Sequence, residues 1–500
     1  MAEAVRRFGA GWIETLPPEL WQIILDFAPS ATIRECLAVS KLLHDVAAPI
    51  VFSALRIHFG AWQADSESGT QWAEGDCVRR SCSMLLHIMT DPIFASYVKH
   101  LDVLAFVDKK ATFELCCLTK ALGVMHNLRT FRWHTGSRMF SIPDNELMKT
   151  LASTCYRLCE YSLPIQCLSE IHGLKQLRAT SVSLQFVDTN LWHSGSPLDD
   201  VDLACFASLF DVYRGFLTQL SVPSQVVLEC PVFILQHLTH LTIDCTEDGD
   251  FGSIPIIFGS CNRLESLHIQ SPEQPPDDLF ATMAESPSAL PLLTHLKINV
   301  EFPWGETRYD ALAGFIRSKK KLRCLDFGEA SVYLTMLAPV LSAIESLSGL
   351  EVLGLDITVD AFGEAESAYL QRIIPKTVTA LRLELGYTQP GMENALKPAS
   401  PWIELWASLP RLAFAYLAGD DEQHCPTLSA DELADAVASL RLIGCRWRFR
   451  EVERVDGEVK MSEPWSQTKV RFRTVQDFGC EDWEWLMRDH GLLSDFSYAR

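Results

Sequence analysis

The sequence predicts an α/β chain: three short helices near the N-terminus, then an irregular solenoid in which each repeat supplies one strand and one helix. Three observations predict it. A short apolar pattern returns along most of the 500 residues, the stretches between its copies carry helical spacing, and residues 16–57 hold three apolar stripes of helical period with their own start signals. The expected organisation is a helical domain at 12–58, a linker and first solenoid helix at 59–94, repeats over 95–445, and a hairpin-and-helix cap at 446–500.

In chain order, Pro17 and Pro18 suit a first helical turn, where a missing N–H leaves no hydrogen bond unmade. Leu20, Ile23, Ile24 and Phe27 then fall at i, i+3, i+4 and i+7, one apolar face, and Pro29 ends the helix. Thr32 and Glu35 fit a capping box for a second helix carrying Ile33, Cys36 and Leu37. Ser40 fits the cap of a third, with Leu43, Val46 and Ala47. Three helices in so few residues bury little core alone, so the segment needs a partner surface, from this chain or another.

The recurring pattern is apolar, two residues, apolar, one residue, apolar. It reads Val98-Leu101-Val103, Leu128-Phe131-Trp133, then copies from Leu158, Leu174 and Leu217. It continues from Leu238, Leu264, Leu293, Leu322, Leu350 and Val378, with a weak last copy from Leu412. From Leu238 to Val378 the spacing is 26–29 residues; the third to fifth copies are irregular, with steps of 16 and 43. The last positions of each copy alternate with period two, as a short strand with one buried face does. Between copies, Leu334, Leu337, Leu341, Ile344 and Leu347 form a helical stripe, and Leu279, Phe280 and Met283 form another. A strand and a helix in about 28 residues bury their apolar faces only by stacking on neighbours.

This pattern resembles the leucine-rich repeat family. The family's Asn after the last apolar anchor is missing: Thr246, Pro272, Glu301, Ala330, Thr358 and Gly386 stand there, which implies irregular turns. The N-terminal segment resembles the F-box of fungal type. Leu16, Pro17, Glu19 and Leu20 match its opening Leu-Pro-x-Glu-Leu, Ile24 and Leu25 its Ile-Leu pair, and Leu37, Val39 and Ser40 its later leucine and Val-Ser pair; Leu43 and His44 stand where the family often has Trp. The resemblance implies that Leu16, Pro17, Glu19, Leu20, Ile23, Ile24, Phe27, Leu37, Val39, Ser40 and Leu43 dock an adaptor of the Skp type, and through it a cullin. The chain would then be the non-catalytic substrate receptor of a ubiquitin ligase, inside the cell, in cytoplasm or nucleus. The alternative is a repeat scaffold whose helices only seal the first repeat.

Residues between the buried anchors form the concave face of a stacked solenoid. Two columns of mixed polar residues run along it, and a target protein is expected at Arg132, Arg178, His240, His268, His295, Lys297, Asp326 and Arg382. Trp192, in the long step between copies, marks a further candidate loop.

A net charge of −21 and a pI near 5.1 argue against a general nucleic-acid binder, since phosphate contacts need a basic surface. There is no 18-residue apolar run, which argues against a membrane span. The sixteen cysteines show no C-x-x-C and read as buried free thiols; no metal or other cofactor is expected. No phosphate-loop, dinucleotide-binding, zinc-protease or serine-hydrolase motif is present, and no catalytic residue is expected.

Overall fold

The computed structural model describes residues 16–28, 30–59, 71–105, 112–135, 142–167, 174, 177–185, 200–245, 252–271, 277–300, 306–329, 333–359, 362–387, 400–419, 430–445, 448–455, 457–466, 469–470, 473–488 and 490. The chain divides into two compact units, residues 1–218 and 219–500.

The first unit opens with α1 (Pro18–Asp26), α2 (Ser30–Cys36) and α3 (Lys41–Val51). Their small shared core is Leu25, Ile33, Cys36, Leu43 and Ala47. Ser40 caps α3, its hydroxyl accepting from the Leu43 N–H at 3.2 Å. Thr32 is not a cap: α2 already begins at Ser30. Then come β1 (Ala54–Phe59), α4 (Gln71–Thr90), α5 (Pro92–Tyr97), β2 (His100–Ala105), α6 (Thr112–Leu122), β3 (Thr130–Thr135), α7 (Asn145–Thr154), β4 (Glu160–Pro164), β5 (Ser181–Gln185) and α8 (Asp200–Val212). The five strands are parallel neighbours in sequence order, and Ala54, His100, Thr130, Glu160 and Ser181 stand in one row.

Two sequence expectations change here. β1 pairs along its whole length with β2, so the first repeat strand begins at Ala54, inside the expected 12–58 domain; its anchors Leu55, Ile57 and Phe59 are buried. The fourth copy is out of register. Leu174 and Leu177 are buried, but the strand lies five residues on, with Ala179, Val182 and Leu184 as its anchors.

The second unit contains β6 (Gln219–Pro223), α9 (Ser224–Leu228), α10 (Val232–Leu235), β7 (His240–Asp244), α11 (Ser253–Ser260), β8 (Ser266–Ser271), α12 (Asp277–Glu285), β9 (His295–Val300), α13 (Glu306–Ser318) and β10 (Cys324–Glu329). It continues with α14 (Ala338–Glu345), β11 (Val352–Val359), α15 (Glu364–Ile373), β12 (Ala380–Tyr387), α16 (Ser400–Ala407), β13 (Phe414–Gly419), α17 (Ala430–Ala436) and β14 (Leu442–Cys445). β6 to β14 are parallel and stack in sequence order. Strand alternates with helix, as the leucine-rich-repeat fold requires. Leucines of successive strands stand opposite one another, as in Leu267–Leu296–Leu325–Leu353–Leu381, and all are buried. β14 is a repeat strand with anchors Leu440, Ile443 and Cys445, beyond the last copy read from the sequence.

The C-terminal region closes the stack with an antiparallel hairpin, β15 (Arg448–Val455) and β16 (Glu458–Met461). Val455 faces Glu458 across the hairpin, and Gly457 has a φ of +87°, which glycine adopts without a Cβ clash. Two short helices follow, α18 (Val475–Phe478) and α19 (Glu481–Met487). Cys445 is disulfide-bonded, whereas thirteen other cysteines, Cys324 and Cys480 among them, are free, so the expectation of free thiols throughout fails at that position. Among the described residues no helix is long and apolar enough to cross a membrane.

Candidate functional site

The three N-terminal helices expose a strip of large apolar side chains. On α1, Leu25 points inward and is 1% exposed, while Leu20, Ile23, Ile24 and Phe27 point outward at 44%, 54%, 46% and 87%. The helix is amphipathic in an inverted sense: its wider apolar face looks away from the core that holds it. Val39, in the turn after α2, adds another outward apolar side chain, and Pro17 and Glu19 lie exposed at the start of α1. Leu20, Ile23, Ile24 and Phe27 follow helical spacing, so they fall on one side of α1, and that side is left exposed.

The expected adaptor-docking residues therefore divide. Pro17, Glu19, Leu20, Ile23, Ile24, Phe27 and Val39 are each exposed, and Leu16 is half-buried. Leu43 is not accessible: it is 5% exposed and belongs to the three-helix core, because α3 turns that face onto α1 and α2. Leu37 is partly buried against the same core, and Ser40, though exposed, is engaged as the α3 cap.

The concave columns behave differently. In the first unit Arg132 is half-buried on β3 and pairs with Glu160 at 2.5 Å. Arg178 lies before β5 rather than on it, exposed and stacked over the Phe216 ring at 5.3 Å, so it leaves the expected column because of the register shift. Trp192 lies outside the described residues.

In the second unit the chain's own C-terminal segment covers the face. Cys324, Val352, Ala380, Phe414 and Leu442, one row of the strands, pack beneath Trp465, Phe478, Trp483, Trp485, Leu486 and Met487. Rings interleave: Phe414 lies 5.3 Å from Trp483, and Phe449 5.2 Å from Trp465. In the next row Gly354 leaves space for the tail; a Cβ there would collide with the Asp326 carboxylate and touch Leu486.

Charge fastens what apolar packing covers. Lys297, 1% exposed, donates to the carbonyls of Trp485, Leu486 and Arg488 at 2.6, 3.0 and 2.8 Å and pairs with Asp326 at 3.0 Å. Those carbonyls end α19, where intrahelical partners run out, so a buried ammonium satisfies them. Asp326 also meets Arg382 at 3.3 Å and His490 Nε2 at 2.5 Å. Burial alone would raise the Asp326 carboxyl, but His490, Lys297 and Arg382 hold it well below the usual carboxylate range. With two permanent cations already there, burial keeps His490 neutral, its ring pushed down to about 3, and it donates to Asp326. Arg382 further contacts Asp356 and meets Glu384 at 2.8 Å.

Four expected target-binding residues are thus corrected. His268, Lys297, Asp326 and Arg382 are interior, at 4%, 1%, 0% and 0% exposure, because the chain's own tail occupies the groove they line. His295 is partly covered too, its Nε2 3.2 Å from Asp482 and its ring against the Trp485 edge. His240 remains exposed.

No family model matches the chain, and no curated protein matches it. Among solved structures it is similar to the Rad7 and Elc1 complex of yeast, at 15% identity over 76% of this chain and 93% of that one, with a TM-score of 0.36. It is also similar to the leucine-rich repeat-containing protein LegL7 of Legionella pneumophila, at 13% identity over 74% and 93%, with a TM-score of 0.30.

Proposed function

We propose that this chain is the substrate-receptor subunit of a Skp–cullin–F-box ubiquitin ligase. The observation that carries the reading is the outward apolar face of α1. Leu20, Ile23, Ile24 and Phe27 are left exposed by a helix that gives its own core Leu25, with Trp21 packed partly buried against it. The sequence around that face matches the F-box at Leu16, Pro17, Glu19, Leu20, Ile24, Leu37, Val39 and Ser40. In this reading α1 and Val39 dock a Skp-type adaptor, the adaptor attaches a cullin, and the repeats hold a target protein. The chain itself is not catalytic. It acts by proximity, raising the effective concentration of target lysines at a ubiquitin thioester carried by another protein. Of the expected target-binding set, Arg178 and His240 are exposed and Arg132 is half-buried.

Full-length protein co-expressed with a Skp-type adaptor is expected to purify as a stoichiometric complex. Leu20→Asp with Ile24→Asp places two carboxylates in the contact and abolishes that complex, while circular dichroism stays unchanged because both positions face solvent in the free chain. A wild-type chain that purifies without adaptor would leave the repeat scaffold as the better account.

A further inference from the structure

Where the tail meets the concave face, three side chains with metal-binding donor atoms come together. His295 on β9, Cys324 on β10 and Asp482 on α19 each offer one donor atom, and the three atoms lie within 4.8 Å of one another. We propose that His295 Nε2, Cys324 Sγ and a carboxylate oxygen of Asp482 bind one Zn²⁺ ion, with water in the fourth position, and that this ion clasps the C-terminal helix to the strands beneath it.

The donor set fits that metal. Imidazole nitrogen, thiolate sulfur and carboxylate oxygen are zinc's ordinary ligands, whereas magnesium and calcium take oxygen alone. The geometry needs little change. His295 and Cys324 are direct neighbours across the β9–β10 pair, so the sheet fixes their spacing. His295 Nε2 already stands 3.2 Å from Asp482 Oδ1, and the Cys324 thiol already meets the same carboxyl. Tetrahedral zinc at the usual bond lengths sets its ligand atoms about 3.3–3.8 Å apart, so the widest pair closes by about 1 Å.

The surroundings orient the ligands as metal sites require. Thr294 Oγ1 lies 2.8 Å from His295 Nδ1, which leaves Nε2 directed at Asp482 and Cys324. Arg323 holds the second oxygen of Asp482 at 3.0 Å and is itself paired with Glu351, so one carboxylate oxygen is anchored while the other faces the site. The Trp485 ring, 5.2 Å from the imidazole, walls one side with apolar surface. On binding, the Cys324 thiol releases its proton to solvent and the imidazole proton resides on Nδ1, donated to Thr294. Affinity should therefore fall as pH falls. Two ligands come from the sheet and the third from the tail, so zinc binds the closed arrangement alone and stabilises it.

The test uses the full chain, stripped with chelator and titrated with Zn²⁺ by calorimetry, beside Cys324→Ser, His295→Gln, Asp482→Asn and Thr294→Val. Wild type is expected to take up one equivalent more than Cys324→Ser; surface thiols such as Cys116 contribute equally to both. Thr294→Val should retain the site with affinity weakened about 10–100-fold, as loss of an orienting partner does. Co²⁺ in place of zinc should give a thiolate charge-transfer band that Cys324→Ser removes. Bound zinc should also slow proteolytic clipping near residue 480 in wild type and leave the Asp482→Asn rate unchanged. Equal uptake and equal affinity in wild type and Cys324→Ser, with both folded by circular dichroism, would overturn the proposal. So would a cobalt spectrum without the thiolate band. Adaptor binding at α1 is a separate readout and is expected to be the same with and without zinc.

Discussion

Two helices of this chain carry similar side chains and dispose of them in opposite ways. α1 presents Leu20, Ile23, Ile24 and Phe27 to solvent, whereas α19 buries Trp483, Trp485, Leu486 and Met487 against strands of its own unit. Both are short and amphipathic, and neither holds a helix by propensity alone. The difference lies in what the rest of the chain provides. The strands under α19 have exchanged a polar row (His240, Ser266, His295) for an apolar one (Cys324, Val352, Ala380, Phe414, Leu442), and a lysine waits at the helix end. Among the described residues nothing comparable covers α1. An apolar helix with a receiving surface is a cap; one without is read, in the function proposed above, as an interface.

Breaking the α19 side should produce the largest effects. Asp326→Ala removes the carboxylate that two buried cations share, and such a change typically destabilises by about 3–5 kcal/mol. Urea denaturation measures it, and a change within about 0.5 kcal/mol would mean the network is not internal. Leu486→Ala, at a fully buried position, is expected to lose about 2–5 kcal/mol in the same assay and to speed proteolysis of residues 463–490.

Acid should loosen the same region. The unfolded chain protonates His490 near 6.5 and the folded one only near 3, so between those values the unfolded state binds more protons and stability falls as pH drops. Asp326 adds to this at lower pH: its folded carboxyl is depressed, so its contribution holds above the ordinary carboxylate range and disappears as pH falls through it. Denaturation midpoints at pH 7 and pH 4.5 should differ in that direction, and His490→Asn should flatten the dependence.

Effects shrink at the N-terminus. Ser40→Ala removes the α3 cap and should cost about 1 kcal/mol, read as a lower thermal midpoint. Phe27→Ala, at 87% exposure, should leave stability within about 0.5 kcal/mol and weaken adaptor binding more than tenfold, by calorimetry. A stability loss at Phe27 as large as that at Leu486 would erase the contrast between the two helices.

The repeats were legible because their anchors are large. Leu238 to Val378 recur at near-constant spacing, and all of β7 to β12 stand where that pattern puts them. The misplaced copy at Leu174 shows the limit: Leu174 and Leu177 are buried outside the strand, while the true first anchor, Ala179, is too small to register as one. β1 escaped because Leu55 and Ile57 follow directly on the N-terminal helices and read as their continuation. The outward face of α1 was visible in the spacing of Leu20, Ile23, Ile24 and Phe27, but not which face α3 would cover, so Leu43 was misassigned. The occupied groove was the least legible part, since Lys297 meets carbonyls more than 180 residues away. A signal was nonetheless present. Lys297, Asp326, Gly354 and Arg382 stand in one row with opposite charges and a gap, an arrangement suited to mutual pairing around an inserted group.

The central claim, that the α1 face belongs to another polypeptide, is tested most directly by hydrogen exchange of the full-length chain with and without a Skp-type adaptor. Slowed exchange across residues 18–27 on adding adaptor, with β7 to β12 unchanged, is the predicted result. Unaltered exchange at 18–27 at saturating adaptor would contradict it.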